Sequence, residues 1–239
     1  MIEIEQRKNM KALNVEMDTG SLCMKNVLFM YNEFFKSMDY DWWYKVQPGD
    51  VCVDVGACVG MFTAHALDLG ASKVYMIEPN KELMQTALKN CYDYIVDQTE
   101  QRIVPIGHAI GSDSSHTERV FYTDDFKTTS FKDFLARYNI EHIDYLKLDC
   151  EGGEYDVLSE ENFDFIRKNV KHVSLEVHLR ATDDGIDKFI NFRNKFLTPY
   201  INENRVRFQD TSISNMVLND SELRNPNRPR EFMMYLING

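Results

Sequence analysis

Short apolar runs and amphipathic stretches alternate along this chain, and the alternation predicts strands and helices in turn. Residues 51–55 are almost wholly apolar and 73–77 form a short apolar run, which is typical of strands buried on both faces of a parallel sheet, and 143–148 is predicted as a further strand. The segment 61–69 has helical composition, and Gly70 is a stop signal for it. From residue 51 the pattern is therefore strand, loop, helix, strand, which is half of a nucleotide-binding unit.

The rest of the chain continues this alternation. Further strands are predicted at 102–106, 119–122, 170–178, 205–208 and 231–237. Further helices are predicted at 27–38, at 81–96 after the capping residue Asn80, from Ser130 onward with Asp133 completing a capping box, and at 186–196. No repeat or linker interrupts the pattern, so we predict a single domain over 1–239, in which residues 1–46 form an arm that caps the sheet or the site.

The composition is that of an ordinary globular protein. The 239 residues are 44% apolar and 27% charged, which allows one well-buried domain. No apolar stretch is long enough for a membrane span, and the first residues lack the basic start and apolar core of a secretory signal. We therefore expect a cytoplasmic protein with no membrane partner.

The net charge bears on the class of partner, and the cysteines bear on disulfides and metal sites. The net charge of −11 disfavours a polyanion, and we expect no nucleic-acid partner. The five cysteines are scattered and form no C-x-x-C pair, which indicates reduced thiols rather than a disulfide framework or a zinc site.

A glycine loop after the first strand carries the most specific chemistry. Its pattern is Asp54-x-Gly56-x-x-x-Gly60, and Glu78 closes the next strand. A loop that binds a pyrophosphate needs G-x-G-x-x-G, so the missing middle glycine disfavours a dinucleotide oxidoreductase. A carboxylate before the loop suits a cationic ligand with an ammonium and a sulfonium, and an acid after the second strand can accept both ribose hydroxyls. These features predict a site for S-adenosylmethionine (SAM).

A second group of acidic residues follows the strand at 143–148. Asp149, Glu151 and Glu154 lie at the strand tip and the start of the next helix, where a doubly wound sheet builds the floor of its active site. Glu154 equally fits an acid that is favoured by the helix macrodipole alone.

The strand at 170–178 adds an acid and an imidazole. Its alternation places Glu176 and His178 on the face opposite to that of its valines. If these side chains meet Asp149 and Glu151, oxygen-rich ligands and one imidazole could hold a divalent metal ion that orients a diol. The sequence does not show that they converge, so this stays a hypothesis.

Two strings resemble the signature of a known family. VDVGACVG at 53–60 and LKLDCEGGE at 146–154 occur in the order and separation typical of FkbM-type methyltransferases, and the resemblance extends from residue 49 to residue 178. Cys58 departs from the asparagine that the family often has. The resemblance implies an α/β class I methyltransferase (Rossmann-like) fold. That fold is a three-layer sandwich with helices on both faces of a seven-stranded, mostly parallel sheet whose last strand is antiparallel.

The resemblance also implies roles for individual residues. Asp54, Gly56 and Gly60 would line the methionine part of SAM, Glu78 would hold the ribose, and Asp149 would lie near the transferred methyl group. The full set that we expect to contact the cofactor is Asp54, Gly56, Ala57, Cys58, Gly60, Met61, Glu78, Pro79, Asn80 and, from the loop at 107–111 beside the adenine, Ala109.

The implied reaction is methylation of a hydroxyl on a sugar, glycan or other small natural product. A hydroxyl acceptor needs a general base, for which Asp149 and Glu151 are the first candidates and His178 the second. Two alternatives stay open. N-methylation would need less help from a base, and a non-catalytic SAM-fold binding module would keep Glu78 but could dispense with Asp149 and Glu151.

Aromatic and basic residues are candidate contacts for a saccharide or another small acceptor. Trp42 and Trp43 belong to an aromatic cluster at 40–44, which we expect to pack on the sheet edge rather than to act as a lid. The basic loop at 224–230 could contact sugar or phosphate groups.

Overall fold

The computed structural model describes residues 39–92, 95, 101–111, 127–180 and 182–238. The predicted helix at 27–38, the predicted strand at 119–122 and most of the N-terminal arm lie outside these ranges. No helix within the described ranges is long and apolar enough to cross a membrane.

Strands and helices alternate through most of the described chain. The strands are β1 (Val51–Val55), β2 (Lys73–Ile77), β3 (Ile103–Ile106), β4 (Ala109–Ile110), β5 (Thr128–Thr129), β6 (Ile143–Leu148), β7 (Val170–His178), β8 (Val206–Phe208) and β9 (Glu231–Ile237). The helices are α1 (Met61–Asp68), α2 (Lys81–Asn90), α3 (Phe131–Arg137), α4 (Glu154–Val157), α5 (Phe163–Asn169), α6 (Asp183–Phe192), α7 (Thr198–Asn202), α8 (Thr211–Leu218) and α9 (Asp220–Leu223), with a π-helical segment (Arg193–Leu197) between α6 and α7.

Seven of the strands form one sheet in the order β3-β2-β1-β6-β7-β9-β8. The pairs β1–β2, β2–β3 and β6–β7 are parallel, whereas β9 is antiparallel to both β7 and β8. The predicted α/β class, with a seven-stranded, mostly parallel sheet and an antiparallel last strand, is confirmed. The chain divides into two compact units: the first contains β1 to β3 with α1 and α2, and the second contains β6 to β9 with α3 to α9.

In the first unit, the central strand and helix are buried as the apolar pattern predicts. Four of the five residues of β1 are buried, and all residues of α1 from Met61 to Leu67 are buried. The helix ends next to Gly70, which has a positive φ of 97°. A Cβ added at this position would lie 3.2 Å from the Cα of Pro48. Asn80 caps α2 as predicted, since its side chain accepts from the N–H groups of Glu82 and Leu83.

In the second unit, β6 is wholly buried, and β7 alternates between buried and half-buried residues from Leu175 to His178, whereas Ser174, predicted on the polar face, is buried. The register places Leu148, the last residue of β6, opposite Leu175 of β7. The predicted cap of α3 is confirmed, because the Ser130 hydroxyl accepts from the Asp133 N–H at 3.0 Å. The helix predicted at 186–196 continues through the π-helical segment, where the rings of Phe192 and Phe196 stack at 5.6 Å.

Several elements differ from the sequence prediction, which gave no strand at β5 and no helix at α5 or α7. The segment 107–111 was predicted as a loop but contains β4, in which the Ala109 N–H donates to the Lys127 carbonyl at 2.9 Å. Helices α8 and α9 were not predicted. Their caps are Asp210, which accepts from the Ser212 and Ile213 N–H groups, and Asn219, which accepts from the Ser221 N–H.

Candidate active site

The glycine loop between β1 and α1 is built from residues in the left-handed conformation. Gly56, Cys58 and Gly60 have φ values of 81°, 50° and 79°. The N–H groups of Gly56 and Ala57 both donate to the Ile77 carbonyl, at 3.0 and 2.9 Å. The loop is therefore fastened to the end of β2.

Glu78 joins the loop to the turn that follows β2. Its side chain is fully buried. One carboxylate oxygen accepts from the Cys58 N–H at 2.9 Å, and the other accepts from the Asn80 N–H at 2.8 Å. A carboxylate accepts up to about four hydrogen bonds, so this role is compatible with the predicted contact to a ribose. The sequence indicated the ribose contact but not the role of Glu78 in shaping the loop.

Gly60 and Asp54 fix the other end of the loop. A Cβ at Gly60 would lie 3.0 Å from the Cβ and 3.1 Å from the Cα of Ala87 on α2, so only glycine fits this contact. Asp54 is fully buried, and its Oδ2 accepts from the Thr63 hydroxyl at 2.7 Å. The side-chain amide of Asn90 donates to the Val59 carbonyl at 2.7 Å. Contacts with β1, α1 and α2 thus hold the backbone of the glycine loop in one conformation.

Nine of the ten predicted cofactor residues belong to this assembly. They are Asp54, Gly56, Ala57, Cys58, Gly60, Met61, Glu78, Pro79 and Asn80. Ala109 lies in β4 and is half-buried.

We predict that Cys58→Asn raises the free energy of unfolding by about 1 kcal/mol, because asparagine tolerates a left-handed backbone better than cysteine does. Urea unfolding followed by circular dichroism measures the change. The matched control is Cys58→Val, because a β-branched side chain tolerates a positive φ least, and it should lower the same free energy by about 1 kcal/mol. Equal stability of the two variants would exclude backbone conformation as the reason for asparagine at this position.

The second unit gathers acidic residues at the end of β6. Asp149 follows the strand directly, and its Oδ2 lies 3.4 Å from the Nζ of Lys147, whose side chain is only 2% exposed. Glu151 and Gly152 then form a tight turn with φ values of 56° and 101°. A non-glycine residue with positive φ is uncommon, and such residues cluster at functional sites.

His178, at the end of β7, lies within this group. Its Nδ1 is 2.8 Å from the Oε1 of Glu154, while its Nε2 is 3.9 Å from Asp149 Oδ1 and 3.7 Å from Glu151 Oε2. The structure therefore brings together Asp149, Glu151 and His178, the three residues predicted to be catalytic. It also adds Glu154, which is fully buried and accepts from the Cys150 N–H at 3.1 Å.

Burial and charge shift several protonation equilibria here. Burial alone lowers the pKa of His178, but the hydrogen bond to Glu154 and the surrounding carboxylates outweigh it and raise this pKa to about 10. Burial raises the pKa of Glu151, against the opposing charge of His178. Burial and neighbouring carboxylates raise the pKa of the Cys150 thiol well above its ordinary value, so this thiol is unreactive at neutral pH.

Glu176 completes the group. It lies two residues before His178 on the same face of β7. Asp149, Glu176 and His178 each offer a ligand atom, and these atoms all lie within 4.8 Å of one another. The convergence that the sequence could not show is present for these three residues.

The candidate acceptor contacts are only partly available. Tyr40 is buried against Phe62 of α1, whereas Trp42 and Trp43 are 46% and 44% exposed. The basic loop is engaged within the protein. Arg224 pairs with Asp183 and Asp187, Arg228 pairs with Glu222, and Arg230 donates to the carbonyls of Leu223 and Asn225.

Comparison with known proteins finds a family model and several solved structures that match this chain. The family model described as "Methyltransferase FkbM domain" matches residues 54–208. The fold is similar to that of a methyltransferase FkbM from Methylobacillus flagellatus KT, with a TM-score of 0.54 and 19% identity, over 82% of this chain and 45% of that one. The chain thus spans less than half of that protein's length.

Weaker similarities involve two archaeal fibrillarins. The protein from Aeropyrum pernix, which was crystallised with natively bound SAM, gives a TM-score of 0.44 at 14% identity, over 84% of this chain and 72% of that one. The pre-rRNA processing protein from Methanococcus jannaschii gives 0.44 at 15% identity, over 80% and 67%. A search of curated proteins finds no match to this chain.

Proposed function

Because the chain belongs to the FkbM methyltransferase family, we propose that it transfers the methyl group of SAM to a hydroxyl group of a sugar, a glycan or another small natural product. The observation that carries the choice of a hydroxyl is the convergence of Asp149 and Glu151 on His178. A hydroxyl must lose its proton during transfer and needs such a group of bases, whereas an amine acceptor needs less help.

The first unit fits the adenosyl ligand by its chemistry. Two buried carboxylates, Asp54 and Glu78, flank a glycine loop that lacks the pattern required by a pyrophosphate. Negative charge at both ends of the loop favours a cation such as a sulfonium. When bound, SAM supplies a methyl group that the sulfonium has already activated.

The second unit supplies the base. Asp149 is engaged by Lys147 at 3.4 Å, whereas the side chain of Glu151 is 40% exposed and has no such cationic lysine beside it among the described residues. We assign the proton transfer to Glu151. The acceptor oxygen bonds to the methyl carbon, the electron pair of the broken C–S bond stays on sulfur, and the hydroxyl proton passes to the Glu151 carboxylate. Asp149 and His178 position the acceptor.

Calorimetric titration tests the cofactor assignment. We expect SAM and S-adenosylhomocysteine to bind and NAD not to bind. Glu78→Ala should weaken SAM binding about 10- to 100-fold, because it removes charged hydrogen bonds to the ribose and to the loop. Glu82→Ala removes an exposed acid in the first turn of α2, and this matched control should bind as the wild type does.

The outcomes separate the function classes. Binding of NAD alone would overturn the assignment of the glycine loop and the enzyme class with it. If SAM binds, mass spectrometry and NMR of products from a panel of sugars and small hydroxylated compounds identify the methylated atom. A methyl group found on nitrogen would refute hydroxyl methylation.

A further inference from the structure

We propose that Asp149, Glu176 and His178 bind one divalent metal ion. Their ligand atoms lie within 4.8 Å of one another on the ends of two adjacent strands. Two ligands at roughly 2.1 Å from one ion lie at most about 4.2 Å apart. The 3.9 Å between His178 Nε2 and Asp149 Oδ1 is within this limit. Small side-chain rotations would bring the third ligand, a carboxylate oxygen of Glu176, within it as well.

The imidazole is held as a metal-binding histidine is held. Histidine ligands commonly donate their second ring N–H to a carboxylate, which fixes the tautomer and the ring orientation. His178 does this through Nδ1 to Glu154, whose side chain is only 1% exposed. Its Nε2 is thereby turned towards Asp149 and Glu151, at distances of 3.9 and 3.7 Å that are too long for hydrogen bonds.

Glu154 gives a second indication that the group is incomplete. Its Oε1 is used by His178 and by the Cys150 N–H, but its buried Oε2 has no hydrogen-bond partner among the described residues. A buried carboxylate oxygen without a partner is costly and needs an explanation. A cation held by the adjacent imidazole stabilises this negative charge through the ring.

The charge of the group also calls for a cation. Asp149, Glu151, Glu154 and Glu176 bring four carboxylates together, and the lysine paired with one of them is Lys147. Like charges at these distances repel strongly where burial lowers the effective dielectric constant. A divalent ion held between Asp149 and Glu176 would weaken this repulsion.

The ligand set selects the class of metal. Two carboxylates and one imidazole suit an ion such as Mn²⁺ or Mg²⁺ rather than a thiolate-preferring one. Three protein ligands leave coordination positions for other oxygens. That these positions take the oxygens of the methyl acceptor rests on the proposed function, whereas binding of the ion does not.

Manganese binding tests the proposal. The full-length chain, freed of metal with a chelator, is titrated with Mn²⁺ alone while the free ion is followed by electron paramagnetic resonance. We expect one Mn²⁺ per chain. Glu176→Gln and His178→Ala should each weaken binding at least about tenfold, and Glu154→Gln, which alters the positioning residue, about 10- to 100-fold. Glu160→Gln, an exposed acid that pairs with Lys195 at 2.9 Å, should leave binding unchanged.

Each result is decisive. Thermal unfolding confirms that every variant is folded, and the isosteric Glu176→Gln keeps the test valid if His178→Ala unfolds. Absence of wild-type binding at millimolar Mn²⁺ would overturn the proposal, as would equal affinity in wild type and Glu176→Gln, or equal weakening by Glu160→Gln. Because neither SAM nor acceptor is present, a negative result leaves the proposed methyl transfer standing, and failure of SAM binding leaves the metal site standing.

Discussion

Glu151→Gln is expected to lower the kcat of methyl transfer by about 10²- to 10⁴-fold, while the affinity for SAM stays unchanged. Glutamine matches glutamate in shape but cannot accept the acceptor's proton. Glu151 belongs to the turn after β6 rather than to the glycine loop, so its loss leaves the residues predicted to bind SAM intact. Single-turnover measurements with radiolabelled SAM separate the chemical step from cofactor binding.

The control for this variant is Glu160→Gln. Glu160 is exposed and pairs with Lys195 on the surface at 2.9 Å, so its loss should not change kcat. If Glu151→Gln retains activity and Asp149→Asn abolishes it, the proton goes to Asp149 instead. Methyl transfer that survives loss of both acids would refute a carboxylate base altogether.

Glu154→Ala is expected to lower the free energy of unfolding by about 3 kcal/mol. The substitution removes the acceptor of the Cys150 N–H and the partner of the His178 ring, both in a buried setting. Glu154→Gln keeps an oxygen at this position and should cost only about 1 kcal/mol. Urea unfolding of both variants, monitored by circular dichroism, gives the two values.

This comparison also decides between the two explanations that the sequence left open for Glu154. An acid that only complements the helix macrodipole at the surface contributes about 0.3–1 kcal/mol. A loss below about 1 kcal/mol for Glu154→Ala would therefore mean that the contacts with His178 and Cys150 add nothing to stability.

The strands could be predicted from the sequence because their burial leaves an unmistakable pattern. The bounds predicted for β1, β2, β6, β7 and β9 match the structure. In β7, Val177 is buried and its neighbours Glu176 and His178 are half-buried, so the two faces could be assigned at this end of the strand, although Ser174 is buried as well. Segments such as 51–55 are apolar except at Asp54 because both faces are covered, and no other element fits so short a run.

The short helices could not be predicted, because they span too few turns to show the helical period of apolar residues. Helices α8 and α9 contain eight and four residues, and their caps were the available signals. Asp210 and Asn219 are both favoured N-cap types, but polar residues of this kind are equally common in turns. The π-helical segment had no local signal that distinguishes it from a continuing α-helix.

The candidate site, like the fold, could be predicted only in part from the sequence. Asp149, Glu151 and His178 could be chosen individually from the ends of predicted strands. Their convergence depends on the register of β6 against β7, which places Leu148 opposite Leu175 and so brings Asp149 level with Glu176. The alternation along β7 assigns its two faces, but it does not show which residue of β6 lies opposite Glu176, and a different register would separate Glu176 from Asp149.

The contact between Gly60 and Ala87 links two positions that are far apart in the chain. A Cβ at residue 60 would meet Ala87 at 3.0 Å, and Ala87 is itself fully buried. A larger residue at position 87 would press on the glycine loop from behind without touching any ligand. Substitutions at residues 60 and 87 are therefore expected to be coupled during evolution. Among homologous sequences, we expect small residues to be retained at both positions or replaced at both. The residue at position 87 would then report the shape of the glycine loop, although its helix takes no part in the chemistry.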